Sequence, residues 1–111
     1  MIEGQELLAA EQTIIGMSGT MLAAALELTP QQAQVLQLLF KLVVVNSDAI
    51  QTVTPQAGVV MYRLRDRLAK SGVVIRSQYG VGYMLTEASR SIIAEQVTTF
   101  VRRFPGFTIK L

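Results

Sequence analysis

The chain has 111 residues, half of them apolar, with ten Lys/Arg against eight Asp/Glu and neither cysteine nor histidine. That length suits one domain with its own hydrophobic core, and the missing residue types exclude zinc fingers, thiol chemistry and histidine general bases. No apolar run approaches the roughly eighteen residues of a membrane helix, and Met1-Ile2-Glu3 lacks the basic start of a signal peptide, so a cytoplasmic protein without metal or cofactor is expected. The net charge of +2 conceals an asymmetry. Before Pro30 stand Glu3, Glu6, Glu11 and Glu27 with no basic residue, whereas all ten Lys/Arg follow it beside four acids, roughly −4 against +6. A polyanion would meet the second part of the chain.

In chain order, residues 5–17 read as a helix with Leu7, Leu8, Ile14 and Ile15 apolar and Glu6, Glu11 and Gln12 polar, interrupted at Gly16 and Ser18-Gly19. A short helix over 20–27 follows, because Met21-Leu22-Ala23-Ala24-Ala25-Leu26 is rich in strong helix formers. This extension, residues 1–27, is expected to pack or pair. Thr29-Pro30-Gln31-Gln32 then starts a helix with a threonine cap, a proline at the first position and a glutamine that closes a capping box. That helix runs to about residue 43 with Val35, Leu36, Leu39 and Phe40 buried, and it serves as the central scaffold. Val43-Val44-Val45 either extends it or forms a short strand. Asn46-Ser47-Asp48 caps a brief helix through residue 53, with Ile50 and Val53 turned inward.

Residues 54–85 hold a basic helix followed at once by a hairpin. Thr54 as N-cap and Pro55 at the first position open the helix, Ala57, Met61, Leu64 and Leu68 form its apolar stripe, and Arg63, Arg67 and Lys70 lie opposite. Gly58 marks close approach either to a neighbouring helix or to a phosphate. Ser71-Gly72 stops the helix. Val73-Val74-Ile75 is a β-branched strand, and Tyr83-Met84-Leu85 pairs back on it across Gln78, Tyr79 and Gly80, with a turn and a bulge at the glycines. A final amphipathic helix covers 86–104, ended by Pro105-Gly106. Residues 107–111 alternate like a strand whose partner edge the sequence does not name.

Four of these pieces carry a family resemblance: Leu28-Thr29-Pro30-Gln31-Gln32, Val35-Leu36-Gln37-Leu38-Leu39, Tyr62-Arg63-Leu64-Arg65-Asp66-Arg67-Leu68 and Tyr79-Gly80-Val81-Gly82-Tyr83. In order and spacing, residues 28–85 resemble the effector domains of OmpR/PhoB-type response regulators, with a Leu-Thr-Pro helix start, an Arg-Leu-Arg recognition helix and a Gly-x-Gly-Tyr wing. The match covers about half the chain. No receiver domain is expected ahead of it, and Tyr79 stands where the family often has an arginine. The resemblance implies a mainly α fold with a small β-hairpin wing (α+β): a winged helix-turn-helix over 28–85, flanked by the helical extension 1–27 and by a C-terminal helix and tail 86–111, in one compact domain.

The expected partner is double-stranded DNA, bound as a transcriptional regulator binds it. With the recognition helix in the major groove, Gln56, Val59, Val60 and Arg63 face bases, where glutamine bridges adenine, arginine grips guanine and valine meets a thymine methyl. Arg65, Arg67, Lys70, Arg76 and the wing tip with Gln78 and Tyr79 then contact phosphates and the adjacent minor groove. The alternative is a winged-helix protein-interaction module that never touches nucleic acid, compatible with the apolar content and with Tyr62, Tyr79 and Tyr83. An enzyme is not expected, since Asp48, Asp66 and Glu87 lie on separate elements and the glycine turns are not phosphate cradles. Ile92, Ile93, Val97, Phe100, Val101 and Phe104 form one stripe of the last helix, expected to be the interface of a homodimer, with packing on the N-terminal helices as the other way to bury it. Arg90, Glu95, Thr98 and Arg102 fall mostly away from that stripe.

Overall fold

The chain is built on helix α3 (Pro30–Lys41), and local chemistry explains why a helix begins there. Thr29 Oγ1 accepts from Gln32 N at 3.2 Å while Thr29 N donates to Gln32 Oε1 at 3.1 Å. The expected capping box is thus complete, and Pro30 occupies a position where its missing N–H costs nothing. The computed structural model describes residues 4–104. Around α3 lie α1 (Gly4–Gly16), α2 (Gly19–Leu26), α4 (Ser47–Gln51), α5 (Ala57–Ala69), strands β1 (Ile75–Gln78) and β2 (Gly82–Leu85), and α6 (Glu87–Arg103). Among the described residues the fold is mainly helical with one small antiparallel hairpin. Val35, Leu36 and Leu39 of α3 are fully buried together with Ile50, Leu64 and Leu68, as their periodicity requires. A radius of gyration of 13.2 Å equals that of roughly 100 residues packed as one unit, about 13 Å.

Helix α3 stops at Lys41, two residues before the expected end, because Leu42 turns extended at φ −113° and ψ 144°. Neither reading of Val43-Val44-Val45 holds whole: Val43 and Val44 lie in a bend, and Val45 alone forms a single bridge to β2. Val45 N donates to Tyr83 O and Tyr83 N to Val45 O, both at 2.8 Å, so Val45 flanks β2 on the side opposite β1. The β1–β2 register runs from Ile75 opposite Leu85 to Gln78 opposite Gly82, leaving Tyr79-Gly80-Val81 as the loop. Val73 and Val74 precede this ladder and do not belong to it. The stop at Ser71-Gly72 is a Schellman turn: Gly72 at φ +81° donates to Ala69 O at 3.0 Å, and Val73 N donates to Leu68 O at 3.2 Å.

The N-terminal helices are fastened by a residue that carries no signal in the sequence. Gln37 Nε2 on α3 donates to Ile14 O at 3.0 Å and to Met17 O at 2.7 Å, satisfying carbonyls that the end of α1 leaves unpaired. Gln37→Leu keeps the bulk and removes both donors, so a loss of about 1–3 kcal/mol in urea unfolding is expected. An unchanged midpoint would show that water serves those carbonyls equally well. Ile14 is buried as expected, whereas Leu8 is exposed.

Helix α6 packs on α1 and α2. Ile93 and Val97 are fully buried there, so these two are unavailable to a second copy and the apolar stripe does not by itself call for a dimer. Phe100 and Val101 are half-buried, and Phe104 is exposed. Arg90, expected on the solvent side, instead turns inward and donates to Leu39 O at 2.9 Å and Phe40 O at 3.5 Å at the end of α3, while pairing with Glu11. Buried Ser89 ties the hairpin base to α6 by accepting from Val74 N at 2.6 Å. The strand expected over 107–111 and the stop at Pro105-Gly106 lie outside the described residues.

Candidate nucleic-acid interface

Helix α5 begins later than Thr54-Pro55 suggests. Thr54 is only 2% exposed, and its Oγ1 accepts from Gln56 N at 3.2 Å, which makes a turn rather than a helix cap. The helix starts at Ala57 with Gln56 as N-cap, and the Gln56 side chain makes no capping bond. Ser18, Thr29, Asn46 and Thr86 do cap their helices. The first N–H groups of α5 therefore have no side-chain cap, and the first turn holds no acid, an arrangement that favours an anion.

The rotation of α5 follows from its stripe. Ala57, Met61, Leu64 and Leu68 are buried, and so is Val60 at 7% exposure, which corrects its expected place toward bases: it borders the stripe and turns into the core. The outward side carries Val59, Tyr62, Arg63 and Asp66, with Tyr62 73% exposed. Gly58 is not the close helix contact that one reading expected, for a Cβ added there would meet nothing within 4 Å. Arg65 lies on the flank facing the hairpin, where Gly58, Tyr62, Val74 and Tyr83 help to line a hollow of about 520 Å³.

Of the basic residues expected at phosphates, Arg67 is committed elsewhere. Its Nε donates to Glu27 O at 3.1 Å and its Nη2 lies 3.0 Å from Glu27 Oε2, bracing the end of α2. Glu27 closes that helix in the left-handed region at φ 56°, and its backbone carbonyl receives the guanidinium. Arg63, Arg65, Lys70 and Arg76 are exposed and make no hydrogen bond or ion pair among the described residues. Gln56, Gln78 and Tyr79 are exposed as well. Tyr62 and Asp66 share that outward face with Val59 and Arg63, as their spacing along the helix requires.

Unpaired cations on one helix and the adjoining strand attract a polyanion, and an unengaged glutamine amide beside bare helix N–H groups can meet a base edge or a phosphate. Among the described residues no three Asp, Glu, Cys or His converge, and no helix is long and apolar enough to cross a membrane. Comparison with protein-family models, curated proteins and solved structures finds no match to this chain.

Proposed function

We propose that the protein binds double-stranded DNA sequence-specifically as a transcriptional regulator, through a winged helix-turn-helix similar to the OmpR/PhoB-type effector domains. In this reading α4 and α5 are the helix pair, α5 is the recognition helix, and β1–β2 with its loop is the wing. The observation that carries it is the group of four cations without partners among the described residues, Arg63, Arg65, Lys70 and Arg76, on α5, its C-cap and β1. Gln56, Val59 and Arg63 face bases, whereas Arg65, Lys70 and Arg76 hold phosphates. Val60 and Arg67 drop out of the contact set because one is buried and the other is bound to Glu27.

Three to four phosphate contacts per subunit imply that affinity for a labelled random duplex falls on the order of a hundredfold from 50 to 200 mM salt, a log–log slope of about −2.7 to −3.6. Arg63→Ala is expected to lower affinity for a selected site by about 1–3 kcal/mol and to leave random duplex nearly unchanged. Equal losses on both would make Arg63 a phosphate contact.

A second reading, a protein-interaction module, is favoured by the exposed Val59, Tyr62 and Val74 and by the Asp66 carboxylate on the outward side of α5. Apolar side chains beside an acid suit a protein surface better than a phosphate backbone. The same titration separates the two, since no shift of duplex at low salt supports the second.

A further inference from the structure

The hairpin tip does not have the chemistry of a phosphate contact. Its loop, Tyr79-Gly80-Val81, carries no positive charge, and the one ionised side chain lining the hollow between the tip and α4 is that of Asp48. Tyr79 stands wholly in solvent, with Val81 about half exposed beside it. The ring makes no hydrogen bond or ring contact with any described residue.

The hairpin beneath this ring is hydrogen-bonded on both sides. The β1–β2 ladder runs up to Gln78 opposite Gly82, Val81 N donates to Gln78 O at 3.0 Å, and Gly80 at φ +77° turns the loop sharply. On its other side β2 is held by the paired bonds between Tyr83 and Val45. An aromatic side chain at the apex of a braced hairpin is a projection, and it needs an occupant that can open to receive it.

Base pairs are such an occupant. Protein arms that read the minor groove by its negative potential use arginine or lysine, whereas apolar side chains enter between base steps, unstack them and kink the duplex. The tip belongs to the second kind, and Arg76 on β1 with Arg65 on α5 supplies the charge that brings it to the backbone. We propose that the tip is a wedge: Tyr79, backed by Val81, inserts between neighbouring base pairs beside the tract held by α5. This rests on the duplex-binding reading above and adds a deformation of the DNA to it.

A wedge binds best where unstacking is already easy. Two end-labelled duplexes, identical except for one central T·T mismatch, are titrated with the full chain by fluorescence anisotropy. Wild-type protein is expected to bind the mismatched duplex about tenfold more tightly, because the stack there is already weakened. Tyr79→Ala loses this preference and keeps its affinity for the matched duplex, while Tyr79→Phe retains both. Since the Tyr79 side chain is fully exposed and bonds to no described residue, neither variant disturbs folding, which circular dichroism checks. Salt-dependent binding without a mismatch preference, or a preference that survives Tyr79→Ala, overturns the wedge alone. Absence of salt-dependent binding to either duplex overturns the duplex-binding reading and the wedge with it.

Discussion

Gly82→Ala is expected to destabilise the protein by about 2–4 kcal/mol, a large share of the total for a domain of this size. Gly82 has φ +139°, a region that side chains rarely adopt, and an added Cβ would lie 2.5 Å from Val45 O and 2.9 Å from Val45 C. Those atoms are backbone, fixed by the two 2.8 Å bonds between Val45 and Tyr83, so no side chain can swing aside. The methyl group must disturb this pairing. Gly80→Ala is the control, because φ is +77° there but nothing lies within 4 Å of the new Cβ. It should lose only the backbone strain, about 1 kcal/mol. Equal unfolding midpoints for the two variants would mean that the Val45 contact carries no weight.

The other large effect lies at Arg90. Its guanidinium pairs with Glu11, donates to Leu39 O at 2.9 Å and sits 5.2 Å from the centre of the Phe40 ring. The two charged side chains are only 18% and 17% exposed. Arg90→Met fills similar space but strands the Glu11 carboxylate and the last carbonyls of α3, so about 3–5 kcal/mol should be lost. Adding Glu11→Leu to Arg90→Met removes the stranded charge and should recover part of that loss, because a buried pair stabilises little more than apolar residues of the same volume. A double variant no more stable than Arg90→Met would show that the ion pair matters less than the carbonyl bonds.

What was legible in the sequence is what depends on neighbours along the chain. The Thr29–Gln32 box, the Asn46 cap with its 2.9 Å bond from Ala49 N, and the glycine stop at Gly72 all act within a few residues. Thr54-Pro55 had the same local signature and failed, because burial of Thr54 against the core outweighed its capping value. The stripe of α6 announced that something covers it, but periodicity cannot say whether α1 and α2 or a second copy does so. Arg90 was misread for a related reason. A helical wheel has no knowledge of unpaired carbonyls some fifty residues earlier in the chain. Within the candidate site, the outward positions of Arg63 and Lys70 were readable from period, whereas Gln56, Val59, Arg65 and Arg76 were placed by the winged-helix resemblance, and all six are exposed. The inward turn of Val60 and the engagement of Arg67 with Glu27 depend on packing against other helices.

The salt dependence of duplex binding in single neutralised variants tests the central claim most directly. Arg65→Gln, Lys70→Gln and Arg76→Gln each remove one cation that has no partner among the described residues, and each is expected to reduce the log–log slope by about 0.9. Arg67→Gln removes one already held by Glu27 and should leave the slope of the wild-type protein unchanged. A wild-type affinity that stays flat with salt, or a slope that falls as far for Arg67→Gln as for the other three, would contradict it.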